Sequence, residues 1–289
     1  MTPAENSAAK DIRIPARDGY ALAATLYATE TSNVVVVISS ATAVPRQFYR
    51  HYANALQTAG FAVITYDYRG VGESKPETLK GFEARAQDWA LLDTAGVIDW
   101  LQVNLRPKNV FIVGHSYGGQ TAGLLDVADQ IDGMVTVSAQ SGYWGVQPGF
   151  EKWRTGFHVH ISMPLLNKIF GYMPWSLIAG GEDLPYGAAK QWTAWCRDPE
   201  YLLGDATLPL ERFDDFVAPV RAYSIDDDVW GSARGVDAMM KAYPNVERHH
   251  LIPADLGLGF IGHFGYFRPA AETLWAADID WFRTTMTSS

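Results

Sequence analysis

The chain has a single cysteine, Cys196, so it can close no disulfide within itself and assemble no thiolate metal cluster, which suits a reducing compartment. Basic residues are also scarce. Lysine and arginine number 23 against 32 acidic residues, for a formal net charge of −9, and they form no run. That distribution argues against binding nucleic-acid phosphates or an anionic membrane surface, and leaves small neutral or cationic ligands compatible. Nowhere do about 18 apolar residues follow one another, and the polar opening, Met1 to Lys10, lacks the apolar centre of a signal peptide. The expectation is a cytoplasmic protein with no membrane span. No Gly-Lys-Ser or Gly-Lys-Thr occurs, so there is no P-loop cradle for phosphate. Gly257 to Gly262 spells Gly-x-Gly-x-x-Gly, but only residues 263–289 follow it, too few for a dinucleotide-binding β-α-β unit. No cofactor and no metal are expected; His158-x-His160 is a pair without further ligands. No internal repeat or low-complexity tract is present.

With 48% hydrophobic and 19% charged residues, the 289-residue chain can bury a large core, and its length fits one large domain with an insertion. Asp11 to Ala16 and Ala21 to Ala28 flank Asp18-Gly19, which predicts an opening hairpin. Alternation with helices follows. Val34 to Ile38, Phe61 to Tyr66 and Asn109 to Val113 read as buried strands, and Gly133 to Ser138, Val220 to Ile225 and Val246 to Ile252 as further strands. Helical spacing falls over Pro45 to Ala59, Ala84 to Leu105, Ala233 to Tyr243 and Pro269 to Thr284. Together these predict a doubly wound α/β fold with a mostly parallel sheet of about eight strands and helices on both faces. The alternation stops between Gln140 and Pro219, where Tyr143, Trp144, Trp153, Phe157, Trp175, Tyr186, Trp192 and Trp195 concentrate. The expected organisation is a core of residues 1–140 and 219–289 with an inserted lid over 141–218. Its aromatics would pack a small core of their own and line an apolar site.

Chemistry concentrates at Gly114-His115-Ser116-Tyr117-Gly118-Gly119, directly after the apolar run Asn109 to Val113. A serine held between glycines where a strand turns sharply into a helix is a nucleophile elbow, and Ser116 is the candidate nucleophile. A serine hydroxyl needs a base within hydrogen-bond reach and a carboxylate to orient that base. Of the seven histidines, only His263 lies in a glycine-rich loop between the last strand and the last helix. His249 and His250 fall inside a strand, and His115 would point away from the elbow. Asp226, Asp227 and Asp228 close the strand Val220 to Ile225, and three adjacent carboxylates cannot all be buried ionised.

Four segments resemble the α/β-hydrolase superfamily: Tyr66 to Ser74 after the fourth strand, Gly114 to Gly119, the acid turn Asp226 to Asp228, and Gly262-His263-Phe264-Gly265. The resemblance runs from about Ile12 to Phe282 and is strongest to bacterial hydrolases of the serine aminopeptidase and lysophospholipase-like kind. It implies an α/β-hydrolase fold and the chain order serine, acid, histidine, with the acid at Asp228 or, one register step away, Asp227. It also implies two backbone N–H donors for an oxyanion, Tyr117 and either Ala41 or Thr42. Ser39 to Ala43 departs from the family by lacking a His-Gly pair, which leaves the second donor open between Ala41 and Thr42, with the Ser40 and Thr42 hydroxyls as further contributors. The expected activity is hydrolysis of a carboxylic ester, or less readily an amide, of a small, partly apolar substrate through an acyl-Ser116 intermediate. An aminopeptidase would need an acidic subsite, for which Glu151, Glu182 and Asp183 are the candidates. A small-ligand-binding protein without catalysis is the alternative from another class.

Overall fold

The computed structural model describes residues 9–29, 32–177 and 180–288; the first eight residues, most of the polar opening, lie outside them. The hairpin at Asp18-Gly19 forms, with β1 (Lys10–Pro15) and β2 (Ala21–Tyr27) antiparallel and Gly19 at φ +86°, a value its missing Cβ permits. Six further strands complete one sheet: β3 (Val34–Ser39), β4 (Ala62–Tyr66), β5 (Asn109–His115), β6 (Gly133–Val137), β7 (Val220–Ile225) and β8 (Val246–Leu251). The spatial order is β1-β2-β4-β3-β5-β6-β7-β8, and β3 to β8 pair in parallel. β4, β5 and β6 are buried along their whole length because both faces are covered, so their sequences read as unbroken apolar runs. The edge strand β8 holds only partly buried and exposed residues, and His249 and His250 sit there on the sheet faces.

Two cores result. One face of the sheet packs Tyr66, Trp89, Ile98 and Leu101 with side chains of the 141–218 segment; the other packs Tyr49, Tyr52, Phe267, Trp275 and Phe282. The helix predicted over Ala84 to Leu105 runs from Ala86 to Asn104 but widens into a π turn at Trp89–Thr94. There the Thr94 hydroxyl donates to the Trp89 carbonyl at 2.8 Å, and Asp93 turns inward to meet Arg69. Two buried arginine–aspartate pairs, Arg46–Asp67 and Arg69–Asp93, fix the loop after β4. Asp67 also accepts from the Arg46 and Glu73 backbone N–H groups, which offset part of the cost of burying its charge.

The chain leaves the sheet after β6 and rejoins it at β7. In between, an α-helix (Gly149–Phe157), a π turn (His158–Ser162) and a second α-helix (Met163–Phe170) form one continuous rod that Gly171 ends in the left-handed region. A two-stranded ribbon (Tyr172–Met173 with Leu184–Pro185) and the helix Tyr186–Trp195 follow. Among the described residues no helix is long and apolar enough to cross a membrane.

Candidate active site

The strand-to-helix turn after β5 is tight enough that its glycines are obligatory. A Cβ on Gly118 would lie 2.2 Å from the Ser39 carbonyl oxygen, and one on Gly114 would lie 2.4 Å from the Gly119 Cα. Ser116 itself adopts φ +49°, ψ −115°, a conformation that costs a non-glycine residue about 1–3 kcal/mol and is held by the packing around it. The helix that follows is short, Tyr117–Gln120.

Ser116 and His263 line one cavity of about 690 Å³ at the carboxyl ends of the parallel strands. His263 Nδ1 lies 2.7 Å from Asp228 Oδ2, and the other Asp228 oxygen accepts from the Trp230 and Gly231 N–H groups at 2.9 and 2.7 Å. A carboxylate can only accept, so Nδ1 carries the proton and the neutral ring leaves Nε2 as its acceptor. Burial pushes the Asp228 carboxyl up, but the His263 ring, its hydrogen bond and the Gly231 N–H outweigh burial and pull it down to about 2. Asp227 is engaged elsewhere, its carboxylate accepting from the Ile261 and Gly262 N–H groups at 3.0 and 2.7 Å and so shaping the histidine loop. Asp226 reaches outward to His250. The Ser116 hydroxyl makes no hydrogen bond among the described residues.

The two candidates for the second oxyanion donor part ways. The Ala41 N–H, one of the two expected alternatives, donates to the Tyr49 hydroxyl at 2.9 Å and so is engaged by the core. The Thr42 and Tyr117 N–H groups donate no hydrogen bond among the described residues, and Thr42 lines the cavity. The neighbouring Ala43 sits at φ +62°, further backbone strain beside the site. Ser40 Oγ is buried with no hydrogen-bond partner among the described residues.

Sequence reasoning missed two supporting residues. His115 is fully buried, and its Nε2 lies 2.8 Å from the His263 carbonyl oxygen while its Nδ1 lies 2.8 Å from the Tyr49 hydroxyl. The carbonyl requires Nε2 to be the donor, so Nδ1 accepts from Tyr49. One chain of hydrogen bonds therefore runs from the Ala41 N–H through Tyr49 and His115 to the histidine loop. Gln120 is fixed by similar logic: Trp192 Nε1 can only donate, and it reaches the Tyr201 hydroxyl at 3.1 Å. Tyr201 in turn donates to Gln120 Oε1 at 2.9 Å. The Gln120 amide N–H₂ then lines the cavity with no partner among the described residues. Tyr201 holds φ +57° to make this contact.

The cavity wall is apolar over Met163, Met173, Trp175 and Trp192, and among the described residues no aspartate or glutamate lines it, whereas Arg154 and Arg268 do. The acidic-subsite candidates are spent elsewhere: Glu151 pairs with Arg154, Glu182 with Lys75, and Asp183 accepts from the Ser176 N–H. Among the described residues no cluster of three potential metal ligands occurs.

The fold has known counterparts. The alpha/beta hydrolase fold family model matches residues 33–157. No curated protein matches the chain. Among solved structures, the Pyrococcus furiosus esterase Pf2001 superposes with a TM-score of 0.59 at 15% identity, covering 98% of this chain and 96% of that one. A thermophilic esterase from Thermogutta terrifontis gives 0.60 at 15% identity, with 96% and 99% covered. Est1E from Butyrivibrio proteoclasticus, solved with ferulic acid, gives 0.65 at 16% identity, with 96% and 99% covered. The sheet order and the family model over residues 33–157 give this chain the α/β-hydrolase fold.

Proposed function

We propose that the protein is a serine hydrolase that cleaves a carboxylic ester of a small, partly apolar substrate, with Ser116, His263 and Asp228 as its triad. The observation that carries this reading is the 2.7 Å contact of His263 Nδ1 with a buried carboxylate, in a cavity that His263 shares with Ser116. In the first half-reaction His263 Nε2 takes the Ser116 proton as the hydroxyl oxygen attacks the ester carbonyl carbon. The negative charge on the carbonyl oxygen is received by the Tyr117 and Thr42 N–H groups. The tetrahedral intermediate collapses by breaking the bond to the alkoxide, which leaves with the proton held by His263. Water, deprotonated by His263, then attacks the acyl-Ser116 carbonyl, and as the bond to Ser116 Oγ breaks and the acid leaves, His263 returns that proton to Ser116. Asp228 stays ionised and stabilises the imidazolium in both halves.

In this reading residues 141–218 are a lid over the strand ends, since they supply Met163, Met173, Trp175 and Trp192 to the cavity wall. The absence of a carboxylate from that wall favours neutral or anionic substrates over amines, and Gln120 offers its amide N–H₂ to an oxygen on the substrate. One buried cysteine and no membrane-crossing helix among the described residues suit a cytoplasmic location. The test is intact-protein mass spectrometry after exposure to a fluorophosphonate. One adduct per chain, mapped to Ser116 and lost in Ser116→Ala and His263→Ala, is expected. A well-folded wild type that takes no label would favour a ligand-binding protein instead.

A further inference from the structure

The rod from Gly149 to Phe170 has two unlike faces. Gly156, Val159, Met163 and Asn167 point inward and are buried. Phe150, Trp153, Phe157, Ile161, Leu165 and Ile169 point outward and are between 53% and 77% exposed. Steps of three and four residues align them as a single stripe. Successive four-residue steps drift around an α-helix, and the wider π turn His158–Ser162 takes back part of that drift, keeping the second half in line with the first. Such a continuous apolar face is unusual on a monomer. Counting about 200 Å² for each such side chain when free, the stripe offers roughly 750 Å², close to the ~800 Å² per partner of a stable protein–protein interface.

We propose that a second copy of this chain covers the stripe, the two rods packing antiparallel about a two-fold axis midway between Phe157 and Ile161. This inference does not depend on the hydrolase reading. The stripe complements itself about that midpoint: Phe157 meets the partner's Ile161, Trp153 the partner's Leu165, and Phe150 the partner's Ile169. Every aromatic side chain of the first half faces an aliphatic one of the second, which lets large and small side chains interdigitate as an isologous interface requires. A bilayer is the poorer occupant, because a chain of net charge −9 is repelled by an anionic surface. Arg154, His158 and Met163 of the same rod line the cavity, so pairing would brace the cavity wall from outside.

Sedimentation velocity on the full chain tests this, and wild type should run at twice the chain mass at micromolar concentration. Ile161→Lys should raise the dimer dissociation constant by at least about 100-fold, since a two-fold axis makes each substitution count twice. Val103→Lys, at an exposed valine of another helix, should leave the dimer intact. The register has its own test, because Phe150 lies at one end of the rod and Ile169 at the other. A mixture of Phe150→Cys and Ile169→Cys proteins should form a disulfide-linked pair under mild oxidation, while neither protein alone does; the native Cys196 is buried. Wild type that stays monomeric at all concentrations overturns the proposal. So does cross-linking of each cysteine variant with itself, which would mean parallel packing. Monomeric wild type that binds phosphatidylcholine vesicles through the stripe also overturns it and assigns the face to lipid.

Discussion

Replacing His115 with asparagine should change how stability depends on pH. Burial, and then the charge that His263 carries when protonated, push the His115 pKa from 6.5 down to about 3. The folded chain therefore keeps this ring neutral, while the unfolded chain takes up a proton below about pH 6.5. Where the unfolded state binds more protons, stability rises with pH, so His115 makes the native state lose about 1.4 kcal/mol per unit as pH falls from about 6.5 toward 3. Asp93 and Asp278 act in the opposite sense. Burial raises both to about 6, so their folded forms protonate first and gain stability as pH falls from about 6 toward 3.8. The wild-type curve alone mixes these effects, and the difference between wild type and His115→Asn separates them. Asparagine retains one acceptor for Tyr49 and one donor for the His263 carbonyl but has no titration of its own. Equilibrium urea unfolding, followed by tryptophan fluorescence at a series of pH values, gives that difference. The stability advantage of wild type over the variant should shrink by about 2 kcal/mol between about pH 7.5 and about pH 5.0. A difference that stays constant over that range would refute a neutral buried His115 and the tautomer assigned to it.

Four further outcomes follow from the site geometry. Asp228→Asn should lower kcat for ester hydrolysis by roughly a thousandfold or more, because the amide favours the wrong His263 tautomer. Asp227→Asn should leave kcat within a few-fold and cost about 1–2 kcal/mol of stability by weakening the bonds to the Ile261 and Gly262 N–H groups; steady-state kinetics with thermal melts separates the two variants. Gly118→Ala should destabilise the fold by about 2–4 kcal/mol in a urea melt, since the new Cβ would meet backbone 2.2 Å away that cannot yield. Gln120→Leu should raise KM about tenfold for esters carrying an additional oxygen acceptor and leave plain hydrocarbon esters nearly unchanged, a comparison that matched p-nitrophenyl esters would provide.

Local sequence determined what depends on near neighbours. The central strands were legible because burial on both faces imposes unbroken apolar runs, and the turn at Asp18-Gly19 because a hairpin turn demands residues tolerant of positive φ. The elbow was legible because the clashes that require Gly114 and Gly118 arise within a few residues of Ser116 and from the adjacent strand. The π turn at Trp89–Thr94 was not, since it is drawn in by Asp93 meeting Arg69 from another loop. Choosing between Asp227 and Asp228 was beyond the sequence, because one residue of register exchanges a carboxylate that reaches His263 for one that ties down Gly262. Ala41 and Thr42 were equivalent on paper, and only Tyr49, arriving from the next helix, takes one N–H and leaves the other. Trp153 and Phe157 read as lid core by composition, yet they face outward while Trp175 and Trp192 line the cavity. Hydrophobicity states that a side chain must be covered, and only the tertiary arrangement decides what covers it.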